Sequence, residues 1–153
     1  MTRPLQLASA LSRAYPWTTS PLIISAPMRV MSGPALAVAV SRAGGLGFIG
    51  PNTTTAKMES DLDEARSLLS SNPIAIPPSS SPTTPPLPIG IGFQLWSDDL
   101  PTALTLLQTY QPAATWLFAP SHPATLPTWL SAIRSASPST QIWLQIGTVS
   151  EAR

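Results

Sequence analysis

Residues 21–51 pass from an apolar run to a helical stripe and back to an apolar run. Leu22-Ile23-Ile24 predicts a strand buried on both faces. It stops at Ala26-Pro27-Met28, because Pro27 has no N–H to give a ladder. Ser32-Gly33-Pro34 predicts a helix start, with a small or hydroxyl residue at the cap and Pro in the first turn. Leu36, Ala39, Val40 and Ala43 recur at helical spacing. Gly44-Gly45 ends that helix, since Gly takes the left-handed conformation that closes a last turn. Leu46 to Ile49 reads as a second short buried strand. So short a crossover implies parallel strands.

The alternation continues downstream. Gly50-Pro51-Asn52 marks a turn, and Thr53, Thr54 and Thr55 are candidate helix caps. Met58, Leu62, Ala65 and Leu69 then form a helical stripe ending near Asn72-Pro73. Glu59, Asp61, Asp63 and Glu64 lie on this helix and are expected to favour its N-terminus and face water. Residues 73–88 hold seven prolines, which forbid a helix or a central strand there, so a lengthened surface loop is expected.

Residues 89–95 predict a third strand. Ile89, Ile91 and Phe93 point one way, and Gly90, Gly92 and Gln94 the other. The second face leaves room and sets one amide near the strand's C-terminal end. Asp98-Asp99 and Pro101 start a helix with Leu100, Leu104 and Leu107 as its stripe. Residues 115–118 predict a fourth strand. Leu126, Trp129, Leu130 and Ile133 mark a further helix, ended by Ser137-Pro138. Residues 141–146 predict a fifth strand, with Ile142, Leu144 and Ile146 opposite Gln141, Trp143 and Gln145. Thr148-Val149-Ser150 looks like another helix start.

Strand and helix thus alternate, as in an open doubly wound sheet or a closed (β/α)8 barrel. The Gly-Gly-Gln face favours a barrel interior narrowing onto a ligand. A complete barrel takes about 250 residues, and this chain has 153. The expected fold is therefore α/β, an incomplete (β/α)8 TIM barrel with about the first five strands. Residues 1–20 form a lead-in, and residues 21–153 the partial barrel domain with its Pro-rich loop.

Composition narrows the function. A net charge of +1 supplies no basic field for nucleic acid or anionic lipid. Without Cys there is no disulfide framework, thiolate nucleophile or thiolate metal site. No apolar run approaches the roughly 18 residues that would span a membrane, and a soluble, cytoplasmic protein is expected. The lead-in carries Arg3 and Arg13 and no acid, a weak likeness to a transit peptide. The reading preferred here is an amphipathic segment with Leu7, Leu11 and Ala14 on one side, covering one end of the fold. Gly45-Leu46-Gly47-Phe48-Ile49-Gly50 fits the dinucleotide pattern G-x-G-x-x-G. It follows a helix and enters a strand, the wrong order for that mechanism.

Residues 21–28, PLIISAPM, followed by residues 34–50, PALAVAVSRAGGLGFIG, resemble the first βαβ unit of the nitronate monooxygenases, also called 2-nitropropane dioxygenases. Gly90-Ile91-Gly92-Phe93-Gln94, Ala114-Thr115-Trp116-Leu117-Phe118 and the segment Trp143 to Val149 follow in the same order, and the Trp-bearing strands resemble fungal members most. The resemblance implies an FMN-dependent (β/α)8 barrel that oxidises alkyl nitronates with O2 to a carbonyl compound and nitrite. It puts Ala26, Pro27 and Met28 against the flavin ring, with Gln94 and Gln145 as further cofactor contacts. The bare strand end at Pro27 is expected to leave backbone groups free for a planar ring. Arg29 departs from the small residue common after the Met, and Trp96 is placed to wall a substrate pocket or to pack as a lid.

The family's catalytic His follows its sixth strand, and its phosphate loops follow the seventh and eighth. No position here matches them, so no catalytic residue is assigned and tight FMN binding is not expected. His122 reads as an ordinary loop residue. The expectation is an N-terminal portion, truncated or split, weakly active or inactive alone. It would expose the edges of its first and fifth strands to self-association. Two alternatives stay open: a non-catalytic remnant acting as an interaction module through the Pro-rich loop, and a flavin-dependent enoyl reductase-type barrel fragment.

Overall fold

The computed structural model describes residues 3–77, 85–122 and 124–150. Its elements are α1 (Arg3–Ala14), β1 (Ile24–Ser25), α2 (Pro34–Arg42), β2 (Leu46–Ile49), a 3-10 turn (Thr55–Lys57) leading into α3 (Met58–Ser71), β3 (Leu87–Gln94), α4 (Leu100–Tyr110), β4 (Pro112–Phe118), α5 (Thr125–Ala136) and β5 (Gln141–Leu144). All four strand pairings are parallel, in the order β1-β2-β3-β4-β5. This is an incomplete (β/α)8 barrel: a curled sheet of five strands with helices on its outer side.

The outer face is an aliphatic core. Ile49, Ile91, Phe93 and Leu117 from the sheet pack with Leu62, Ala65, Leu107, Trp129 and Ile133 from the helices. The stripe on α3 lies where the periodicity puts it, with Met58, Leu62, Ala65 and Leu69 buried. On α2 the buried residues are instead Pro34, Ala37, Val38 and Ser41, and Leu36 is 42% exposed. Close approach decides this. A Cβ on Gly47 of β2 would lie 1.9 Å from the Ala37 carbonyl oxygen, so only small residues fit between helix and strand. The Ser41 hydroxyl then accepts the Gly47 N–H at 3.1 Å. On α4 the deepest positions are Ala103, Leu106, Leu107 and Tyr110, with Leu100 and Leu104 at the margin.

Strand boundaries differ from the expected ones at Pro and at the edges. β3 begins at Leu87 and takes in buried Pro88, and its register against β4 shifts between Leu87 and Gly90. A residue without an N–H is accommodated in the sheet by breaking the ladder there. β1 is only two residues long and half-buried, and Ile23 is 67% exposed, so it is a sheet edge rather than a strand buried on both faces. β5 ends at Leu144, and residues 148–150 form no helix. Of the Pro-rich loop, residues 78–84 lie outside the described residues.

The inner face is aromatic. Phe48 and Trp116 meet edge-on at 5.3 Å, and Trp116 stacks on Trp143 at 5.9 Å. Phe48 reaches Trp116 across β3 because Gly90 has no side chain: a Cβ there would lie 2.3 Å from the Phe48 ring. Tyr15 and Trp17, at the end of the lead-in, seal the N-terminal side of this face. Trp143 Nε1 donates to the Tyr15 hydroxyl at 2.6 Å, and Trp17 Nε1 to the Gly45 carbonyl at 3.0 Å. Leu11 and Ala14 pack against the same cluster, whereas Leu7 is 62% exposed.

Candidate functional site

The C-terminal ends of the strands bring together the turn after β1, the end of β3 and the residues after β5. The β1 turn is tightly built. Ser32, buried, accepts the Met28 N–H at 3.0 Å and donates to the Ala26 carbonyl at 3.1 Å. Met31 and Ser32 both donate their N–H to the Met28 carbonyl, and Val30 donates to the Pro51 carbonyl at 2.8 Å. The expected free backbone groups at Ala26 and Met28 are therefore engaged, and Ser32 is spent on this turn instead of capping α2, whose N-cap is Gly33. Val30 holds φ at 52°, a conformation costly for a β-branched residue.

Pro27 is buried and folds over the inner face. A Cβ on Gly92 would lie 2.3 Å from its ring. The room expected beside Gly90 and Gly92 is thus filled by Phe48 and Pro27. Above Pro27, Met28 is 51% exposed and Ala26 is exposed, which gives a rigid apolar ledge.

Gln94 ends β3 two residues past Gly92. Its Oε1 is buried and has no hydrogen-bond partner. An unpaired buried carbonyl costs roughly 1–3 kcal/mol, so this atom invites a donor. The backbone beside it is fixed: the Gln94 N–H donates to Asp98, whose other oxygen accepts from the Thr55 hydroxyl at 2.8 Å. Burial raises the Asp98 carboxyl above its ordinary range, against the lowering effect of the Thr55 and Gln94 hydrogen bonds and of the Arg29 charge. Thr55 also accepts the Asp99 N–H at 2.8 Å, so a residue expected only as a helix cap ties the β2 loop to the start of α4.

Gln145 lies just past β5 and is exposed. It accepts from Trp116 Nε1 at 3.3 Å, and its backbone N–H extends the ladder to the Leu117 carbonyl. No hydrogen bond among the described residues joins it to Gln94. His122, after β4, is exposed, and its carbonyl accepts the Thr125 N–H at the start of α5. Asp61 accepts from Asn52, and Asp63 from the Tyr110 hydroxyl, while Glu59 and Glu64 are exposed. Thr55 and Asp98 were not legible as site-builders, because they pair across distant stretches of the chain. Ser32 acts within its own turn, where a hydroxyl before Gly33-Pro34 read as a helix cap. The buried seals Tyr15 and Trp17 carried one signal: they are the two aromatics of the lead-in.

A cavity of about 360 Å³ lies at the opposite, N-terminal end of β3, between Arg66, Ile74, Leu87 and Tyr110. Burial and the hydrogen bond to Asp63 push the Tyr110 phenol up to about 12, so it is a fixed donor there and not a base. The chemistry-bearing groups lie at the other end of the strands. Among the described residues no group of His, Cys, Asp and Glu could hold a metal, and no helix is long and apolar enough to cross a membrane.

This end of the sheet presents an apolar ledge at Ala26-Pro27-Met28 and an unpartnered buried acceptor at Gln94. Residues 13–80 match the family described as nitronate monooxygenase. The chain is 54% identical over 144 residues to the nitronate monooxygenase npaC of Metarhizium robertsii, covering 94% of this chain and 39% of that protein. It is 33% identical over 156 residues to a nitronate monooxygenase of Neurospora crassa, covering 94% of this chain and 41% of that protein. The chain therefore spans about two-fifths of the length of these curated relatives.

Proposed function

The chain belongs to the nitronate monooxygenase family, and on that premise we propose that it forms the flavin-ring side of a site oxidising alkyl nitronates with O2 to a carbonyl compound and nitrite. The buried, unpartnered Gln94 Oε1 beside the Pro27 ledge carries this reading. FMN, when bound, supplies the redox chemistry. Ala26, Pro27 and Met28 support one face of its ring, Gln94 accepts a hydrogen bond from it, and Gln145 contacts it from β5. The aromatic inner face excludes water from below. No residue of this chain is assigned as the catalytic base, and the chain alone is weakly active or inactive. The protein works in the cytoplasm.

The sheet edges set its partner. β1 and β5 end the sheet, and Ile23, Leu144 and Ile146 are 67%, 43% and 44% exposed beside them. We assign these edges to self-association with a second copy. The test of the whole reading is to purify the 153-residue chain, scan it for flavin absorbance and assay nitrite release from ethyl nitronate. Flavin uptake with slow nitrite release supports it. A colourless protein that takes up no flavin at saturating FMN contradicts it. Sedimentation across a concentration series tests the edges: a chain that stays monomeric throughout removes the self-association.

A further inference from the structure

Arg29 stands directly after the Ala26-Pro27-Met28 ledge and is exposed. Its guanidinium lies 5.7 Å from the centre of the Trp96 ring, within the range of a cation–π contact. The neighbouring Val30 is pinned by its hydrogen bond to Pro51 and by its left-handed backbone. The two layers of the rim repeat one arrangement. Pro27 covers Gly92 on β3, and Arg29 covers Trp96, four residues further along the same segment.

The cation has no anion of its own. Asp98 is the acid near enough to feel its charge, yet the Asp98 oxygens are taken by the Thr55 hydroxyl and the Gln94 N–H. Among the described residues Arg29 forms no ion pair or hydrogen bond. With no hydrogen bond or ion pair of its own, the guanidinium has its N–H edge available, and that edge matches a planar anion with two equivalent oxygens. Met28, Val30, Met31 and Trp96, all at least half exposed, add apolar surface to the same rim.

We propose that Arg29, braced by Trp96, is the residue that selects a planar two-oxygen anion at this rim, and so discriminates a nitronate from its neutral nitroalkane. The choice of anion rests on the nitronate-oxidising reading; the anion site itself does not. The probes are ethyl nitronate, neutral nitroethane and inorganic phosphate. Each is titrated calorimetrically into the full chain at alkaline pH, with circular dichroism confirming the fold of every variant. The wild-type chain is expected to bind ethyl nitronate at least about tenfold tighter than nitroethane. Arg29→Gln abolishes the preference. Arg29→Lys, which keeps the charge without the fork, retains part of it, and Trp96→Leu weakens nitronate binding several-fold. Equal binding of the two probes, no binding of either, phosphate binding as tight as nitronate, or an unchanged Arg29→Gln variant each overturns the proposal. Flavin uptake is measured separately: a chain that takes up no flavin yet keeps the preference upholds the anion site and counts against the flavin reading.

Discussion

On the face turned to the helices, Ile49, Ile91, Phe93 and Leu117 meet Leu62, Leu107, Trp129 and Ile133 in a core without polar side-chain contacts among those residues. On the face turned inward, Phe48, Trp116, Trp143 and Tyr15 interlock through ring edges and N–H donors, and one amide oxygen is left over. Apart from Thr115, buried there with its hydroxyl unpartnered, the first face needs only apolar residues of about the right volume, and tolerates rearrangement. The second depends on pairs: a glycine on one strand for a ring on another, a hydroxyl for an indole. A surface built of such pairs can hold one polar atom in a defined place, which is what a binding site requires.

The comparison can be broken from the outer side first. Phe93→Ala removes a fully buried ring packed at 5.6 Å from Trp129 and should cost about 3–5 kcal/mol in urea unfolding. Trp116→Ala, on the half-buried inner face, should cost less. The two glycine contacts sharpen the distinction. Gly47→Ala meets a backbone carbonyl that cannot yield, and should destabilise by about 3 kcal/mol with no single-residue rescue. Gly90→Ala meets the Phe48 ring. It should cost about 1–3 kcal/mol and recover in part when combined with Phe48→Leu. Equal rescue of both would remove the distinction between the faces.

Tyr15→Phe leaves Trp143 Nε1 without its acceptor and should cost about 1–2 kcal/mol. The smallest effect is electrostatic and runs in opposite senses at neighbouring acids. Burial raises Asp98, so its contribution is full below the ordinary carboxylate range and is lost as pH rises through its raised value. Hydrogen bonds from Thr102 lower Asp99, so its contribution is present above that range and lost as pH falls through its lowered value. In a pH series of thermal midpoints, Asp98→Asn should flatten the upper arm and Asp99→Asn the lower.

Much of the outer face was legible in the sequence, because period-two and period-3.6 patterns report on packing between neighbouring elements. The stripe on α3 and the alternation through Ile89, Ile91 and Phe93 follow from it. Where Gly47 draws α2 close, the pattern failed: steric contact with a strand, not hydrophobicity, chose Ala37 and Ser41 over Leu36 and Ala39. The inner face was only half legible. Gly90 and Gly92 marked a side without side chains, but the rings filling that space come from Phe48 and Pro27, 42 and 65 positions earlier. Gln94 could be named from its place at the strand end. Asp98 supports it from the next turn, but Thr55, which holds Asp98, comes from a distant loop with no local pattern.

The central claim is that the ledge at Ala26-Pro27-Met28 and the Gln94 oxygen together form a bed for a flavin ring. Titrating riboflavin and FMN into the full chain, with Gln94→Leu in parallel, tests it most directly. The account predicts that the two flavins bind with similar affinity, since the contacts are to the ring. It also predicts that Gln94→Leu, with its fold intact, weakens both about tenfold. No flavin binding, or binding indifferent to Gln94, would contradict it.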